Sequence, residues 1–277
     1  MTMACDAPCF SIVIGTFNAA TTLQRTLDSV FHQSSPSWEV LVSDGASSDG
    51  TVEILRRNAA SLAWWNSEPD SGLTQAWNRC LERIRGKWIL FLGADDALFA
   101  KDTLQSAEER LGAISSTTLL AFGRILLAPA ADLSRGTVLG SPWSQAGDRF
   151  FLENTLPHQA VFHNALLFRE LGGFDESFRM AADYELMLRC VMRELPVDLG
   201  ADLVVSRMAD EGMSSDPRRS WMVHREFRRA RRKHGLPGSL GERVLQGRVA
   251  LKRVLAHLLG PSYARWIGRP CLRKQSA

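Results

Sequence analysis

Four aspartates, Asp44, Asp70, Asp95 and Asp96, fall at or just after the ends of short apolar runs, and a fifth, Asp183, opens the helical stretch AADYELMLR. Carboxylates gathered on one edge repel one another unless a cation or hydrogen-bonding ligand groups lie between them, so the first four point to a divalent metal or a polar ligand. Hard oxygen donors favour Mg2+ or Mn2+ over zinc. Any one of them alone is more often a turn former or a helix cap, and Asp183 sits in a first helical turn, where the dipole favours an acid. Repetition at successive run ends is what turns the reading toward ligand chemistry. His158 stands among apolar residues in LPHQAVF, a setting shared by core histidines. The five cysteines, at 5, 9, 80, 190 and 271, are scattered and lack CxxC spacing, which argues against a disulfide framework and structural zinc.

The elements that must carry these acids read as alternating strands and helices. FSIVIG (10–15) and WEVLVS (38–43) are β-rich runs suited to strands buried on both faces. Between them Leu23, Leu27, Val30 and Phe31 recur at helical spacing, predicting a helix over about 21–33. Asp44-Gly45 closes the second strand, and Asp49 is placed to cap a helix through Val52 and Leu55. A third strand is expected over 61–65, a helix through Leu73, Ala76, Trp77, Leu81 and Ile84, and a fourth strand at KWILFL (87–92), which ends in GADD. Such alternation predicts an α/β fold with a mostly parallel sheet and right-handed crossovers. Ligands then sit beyond the carboxyl ends of the strands, where the aspartates are. The tryptophans at 64, 65 and 77 read as core. Further on come an apolar stretch over 118–127, a Gly/Pro-containing loop, LPHQAVFHNALLF (156–168) and a helix starting near Ala181.

The chain's 277 residues carry a formal charge of +3 that hides an asymmetry. From Arg218 onward there are 16 Lys and Arg against two acids, leaving 17 bases against 28 acids in residues 1–217. The basic part reads as an amphipathic helical extension in which Leu240, Val244, Leu251, Leu255 and Leu258 share a face, followed by Tyr263 and Trp266. It suits either an anionic membrane surface or a helix packed on its own domain with a solvated basic face. The longest apolar stretch, Leu119–Ala131, is interrupted by Arg124, and residues 1–8 lack a basic leader, so a cytoplasmic chain without a spanning helix is expected.

Five blocks in order, SIVIGTFN, VLVSDGASSDGT (40–51), SEPDSGLTQAWNRCL (67–81), GKWILFLGADD (86–96) and GGFDESFRMAADYELMLR (172–189), make the sequence resemble a family 2 glycosyltransferase of GT-A fold, in the pattern of bacterial surface-polysaccharide enzymes. The resemblance implies a GT-A domain over 1–217, with a nucleotide-binding half (1–98) and an acceptor half (99–217), ahead of the basic region 218–277. It implies a transferase that moves a sugar from a nucleotide-sugar donor, UDP-linked, to a saccharide or lipid-linked acceptor, inverting and assisted by Mn2+ or Mg2+, at the cytoplasmic face of the inner membrane. In its terms Thr16, Asn18, Asp44 and Asp70 form the nucleotide pocket, Asp95 matches the metal-binding end of the D-x-D motif, and Asp96 supports it. Asp183 matches the catalytic base, with Glu185 in reserve, and His158 lies near the acceptor and donor phosphate. One departure is Gly93, which stands where the first D-x-D aspartate is expected. The loop TFNAATTL lacks the Gly, Arg and Lys of a nucleotidylyltransferase, and no G-x-G-x-x-G follows a strand. A non-catalytic GT-A module that binds sugar nucleotide or scaffolds a membrane assembly is the alternative, and nucleic acid is not expected as the main partner.

Overall fold

The computed structural model describes residues 7–129, 132–210 and 220–236. Its main sheet has seven strands. Three apolar runs form the parallel centre, β1 (Phe10–Thr16), β2 (Trp38–Asp44) and β4 (Trp88–Gly93), with β3 (Trp64–Ser67) parallel to β2 at one edge. Beyond β4 come β9 (Val161–Asn164), antiparallel to both of its neighbours, then β6 (Leu120–Phe122) and β10 (Val197–Asp198).

Both faces are covered, which is why these strands are mostly apolar instead of alternating. On one face Ile12, Ile14, Val40, Val42, Leu90 and Leu92 pack with α1 (Leu23–Phe31), α2 (Thr51–Asn58) and α4 (Thr103–Gly112). On the other, Val13, Leu41, Ile89 and Phe91 meet α3 (Leu73–Leu81), α6 (Ala165–Leu171), α7 (Ala182–Val191) and α8 (Ser220–Lys233). Each fully buried aliphatic or phenyl side chain here is worth about 1.5–3 kcal/mol. Gly15 lets α3 approach the sheet, because a Cβ there would stand 2.4 Å from Leu73 Cδ1.

The expected third strand begins three residues late, since a 3₁₀ turn at Ala59–Ser61 extends α2. The apolar stretch 118–127 proves to be two strands in two sheets. β6 ends at Phe122, and β7 (Arg124–Ala128) belongs to a second sheet ordered β5 (Ala97–Leu98), β11 (Val204–Ala209), β7 and β8 (Thr137–Leu139). Gly123 makes the passage, with space for no side chain beside Leu203 O at 2.6 Å. Arg124 is wholly buried and bonds Asp198 through both terminal nitrogens at 3.0 and 2.8 Å. The Gly/Pro-containing loop also holds α5 (Trp143–Phe150), which the sequence reading lacked.

α8 lies on α7, with Phe227 against Tyr184 at 4.6 Å between ring centroids. The amphipathic face over 240–258, Tyr263 and Trp266 lie outside the described residues. Among those described, no helix is long and apolar enough to cross a membrane, and Cys9, Cys80 and Cys190 are free thiols.

Candidate active site

Strand register lines up the first group of residues. Thr16 is paired with Asp44 and Asp44 with Ser67, while Gly15 is paired with Gly93 on the other side of β1. Asp44 is fully buried, and its carboxylate accepts from Ser47 N, Ser47 Oγ and Ser67 Oγ at 2.9, 2.5 and 2.6 Å. It therefore ties the turn after β2 to the end of β3. Asn18 holds the turn after β1 to the same place: its amide donates to Ser47 Oγ and its Oδ1 accepts from Ser48 N. Asn18 and Ala46 take positive φ, 50° and 62°, the only non-glycine residues to do so among those described. Such backbone is uncommon outside glycine and is retained where surrounding contacts impose it. Phe17, just before Asn18, is 65% exposed. Thr16 Oγ1 is buried without a hydrogen-bond partner, a hydroxyl open to a ligand. Asp70 accepts from Gly72 N and lies over Gly45, whose Cβ would meet its Oδ2 at 2.9 Å.

The turn after β4 is anchored to α1. Thr26 Oγ1 reaches Ala94 O and Asp96 O at 2.9 and 2.7 Å, and Arg25 Nη2 donates to Asp95 O. Asp96 is buried; Gly93 N, Ala209 N and the Gln159 side chain hydrogen-bond its carboxyl group. Burial, reinforced by the neighbouring charge of Asp95, pushes its pKa up to about 7. A Cβ on Gly93 would lie 2.8 Å from both Asp95 Oδ1 and Asp96 Oδ2, so the glycine leaves a small recess onto which two carboxylate oxygens converge. Among the described residues no three His, Cys, Asp or Glu side chains gather as a metal centre. A divalent ion that keeps most of its ligands as substrate phosphate oxygens and water needs only one or two protein carboxylates. Asp95, with Asp96 behind it, fits that pattern.

His158 follows from the other side, in the 3₁₀ turn His158–Ala160 just before β9. Its ring stacks on Phe91 at 4.9 Å and meets Trp77 edge-on at 5.0 Å. Burial holds it neutral, its pKa well below the usual histidine value, and its Nε2 has no protein partner. The tryptophans behave as core, with Trp77 inside this aromatic cluster and Trp64 and Trp65 half-buried against the sheet.

Asp183 lies in the first turn of α7, as expected. Burial pushes its pKa up to about 6; the backbone amides of Tyr184 and Asp183 pull the other way, and the charge of Glu226 raises it further. Asn154 Nδ2 donates to Asp183 Oδ2 at 3.1 Å. Glu185 is turned inward, wholly buried and bonded to Arg189, Lys233 and His234. No hydrogen bond joins Asp183 to the strand-end carboxylates among the described residues. Asn154, Gln159, Thr26 and Glu226 were not singled out in the sequence. Only Glu226 carried a signal, as one of two acids within a basic run.

Carboxylates at the ends of parallel strands, with a half-buried acid at a helix start, are shared by several enzyme classes. Comparison with known proteins decides among them. The chain is 31% identical over 226 residues to the PGL/p-HBAD biosynthesis glycosyltransferase of Mycobacterium bovis, covering 80% of this chain and 83% of that protein. It belongs to glycosyltransferase family 2. The sequence description of that family, Glycosyl transferase family 2, matches residues 11–121. This glycosyltransferase is therefore an enzyme, which sets aside the non-catalytic alternative. Its fold is that of Staphylococcus aureus TarS 1-349 in complex with UDP-GlcNAc, with TM-score 0.62 at 19% identity, covering 94% of this chain and 74% of that one. In a further TarS 1-349 structure the match takes in 64% of that chain. The mannosyltransferase PcManGT of Pyrobaculum calidifontis, in complex with GDP-Man and Mn2+, matches with TM-score 0.59 at 20% identity over 94% of this chain and 83% of that one. The fold class read from the sequence is thus the one observed, a GT-A α/β fold.

Proposed function

We propose that this family 2 glycosyltransferase moves a sugar, with inversion, from a UDP-linked donor to a saccharide or lipid-linked acceptor in cell-surface polysaccharide biosynthesis. The observation that carries the reading is Asp183: a half-buried carboxylate at a helix start, with its proton affinity raised to about 6, placed where a working base is most effective. The UDP complex of TarS and the biosynthetic name of the mycobacterial relative support the donor and the setting.

In this reading the acceptor hydroxyl attacks the anomeric carbon in line, the bond from that carbon to the diphosphate breaks, and the leaving nucleoside diphosphate takes the electron pair. Asp183 accepts the hydroxyl proton while Asn154 keeps its carboxylate oriented. Thr16 Oγ1, the Asn18 turn and Asp70 line the nucleotide side. Asp44, held by three bonds from Ser47 and Ser67, fixes the shape of that pocket and keeps acceptor capacity on Oδ1. His158, held neutral, offers a ring N–H to a phosphate or acceptor oxygen. Asp95, backed by Asp96, would hold Mn2+ or Mg2+, which when bound offsets charge on the departing diphosphate. The basic region beyond residue 236 would bring the enzyme to an anionic membrane surface at the cytoplasmic face.

Thermal unfolding with UDP, GDP and dTDP, each with and without Mn2+, tests the donor and metal assignments. A ligand at about 100 times its dissociation constant adds roughly 2.7 kcal/mol. UDP should stabilise the wild type in a Mn2+-dependent way that Asp95→Ala loses. Stabilisation by GDP or dTDP alone would reassign the donor, and an effect indifferent to Asp95→Ala would remove the metal from that residue.

A further inference from the structure

α7 begins without a side-chain cap of its own, because Ala181 occupies the N-cap position. The first amides of a helix need acceptors from elsewhere. Glu226, near the middle of α8, supplies one for the N-cap residue and holds the two residues before it: it accepts from the amides of Arg179, Met180 and Ala181 at 3.0, 2.8 and 2.9 Å. Ala182 alone separates these amides from Asp183. Farther along α8, the buried Arg231 donates through Nη1 to Leu152 O. Leu152 stands two residues before Asn154, the side chain that bonds Asp183 Oδ2. Between these two anchors Phe227 and Ala230 are packed into the same core as Tyr184. One helix thus grips both backbone segments that flank the base.

We propose that α8 is a working part of the active site, with Glu226 and Arg231 as positioning residues that hold the start of α7 and the loop carrying Asn154 at a fixed spacing around Asp183. The proposal rests on Asp183 being the base. Other charged groups in this region are engaged with one another: Glu153 with Arg149, and Glu185 with Arg189, Lys233 and His234. Arg229 bonds Ser177, and His224 meets Phe227 edge-on. Glu226 is the charge that acts on Asp183, and like charge favours the protonated form of a neighbouring acid. Glu226 therefore holds the backbone just ahead of the base and adds to the rise in proton affinity that burial chiefly causes.

The test uses the full chain with Asp183→Asn, Glu226→Gln and Arg231→Lys. Three quantities are read: thermal unfolding, release of nucleoside diphosphate from UDP-GlcNAc, UDP-glucose and GDP-mannose, and 13C NMR titration of the aspartate carboxyls. The Asp183 resonance is assigned by its loss in Asp183→Asn. Glu226→Gln should move the Asp183 midpoint to lower pH and reduce kcat on the order of tenfold, with the donor KM nearly unchanged, since a small misplacement of a reacting group is costly. Arg231→Lys should lower kcat in the same way. A Glu226→Gln protein that melts earlier yet keeps the wild-type midpoint and kcat would reduce α8 to a structural brace and overturn the proposal. Should Glu226→Gln fail to fold, an unchanged kcat in folded Arg231→Lys overturns it equally. Wild-type turnover in Asp183→Asn would remove the base assignment itself, a different failure from an unmoved midpoint.

Discussion

Replacing Asp183 by Asn separates what the carboxylate does for catalysis from what it costs the fold. In the unfolded chain this acid titrates near 3.8, and in the folded protein burial raises it to about 6. As pH rises between these values the folded state retains a proton that the unfolded state has released, so unfolding becomes easier. Above pH 6 the full cost of the buried charge is present. At about 1.36 kcal/mol per unit it amounts to about 3 kcal/mol, trimmed to about 2 kcal/mol because partial exposure lets solvent screen the group. Asn cannot ionise and escapes this cost. The variant should melt roughly 4–8 °C above the wild type at pH 8, given about 2–4 °C per kcal/mol for chains of this order, while the two melts converge near pH 4. Turnover should fall by on the order of 10²- to 10⁴-fold with donor binding nearly intact. Differential scanning calorimetry at the two pH values, alongside a nucleoside diphosphate release assay, reads both effects. A melting difference that is the same at pH 4 and pH 8 would refute the burial argument, and unchanged turnover would refute the role as base.

Gly93→Ala puts a methyl group 2.8 Å from two carboxylate oxygens, and overpacking of this kind costs about 1–3 kcal/mol; the variant should melt earlier and lose any Mn2+-dependent thermal shift that the wild type displays. His163 is buried and titrates near 4 instead of 6.5, so as pH falls through that window the unfolded chain gains a proton that the folded one refuses. Wild type should lose about 3 kcal/mol of stability from this residue by pH 4, a slope that urea titrations should find flattened in a folded His163→Phe variant. Deleting residues 237–277 while keeping α8 should abolish sedimentation with anionic vesicles, each surface-near base being worth about 1 kcal/mol; equal sedimentation of the truncated chain would end the membrane proposal.

The parallel centre was legible because β1, β2 and β4 are buried on both faces and so appear as largely apolar runs, of which β2 ends in Asp44 and β4 leads into Asp95 and Asp96. The candidacy of Asp183 as base came from the resemblance, whereas its place in the first turn of a helix was legible locally. The second sheet was not: β5 has two residues, β8 three, and β7 continues an apolar run already spent on β6 across a single glycine. Asn154 escaped because it acts from an irregular loop; Glu226, visible only as an acid within a basic run, accepts from backbone amides in the bonds described, so no side-chain pairing marked its role. The bonds that Ser47 and Ser67 make to Asp44 were not legible, because both are ordinary turn and strand-end residues in sequence.

The second sheet also sets an order on synthesis. β11 lies between β5 and β7, and Arg207 reaches the carbonyl of Phe99 across 108 residues of chain. While the polypeptide emerges from the ribosome, β1 to β4 can close early, but β7 has only the β8 hairpin beside it until Val204–Ala209 is made. Contacts this distant form late, and an unpaired strand edge invites pairing with another chain. A nascent chain halted before Val204 carries such an edge, so interrupted translation should yield chaperone-bound or aggregated fragments in place of a partly working nucleotide-binding half.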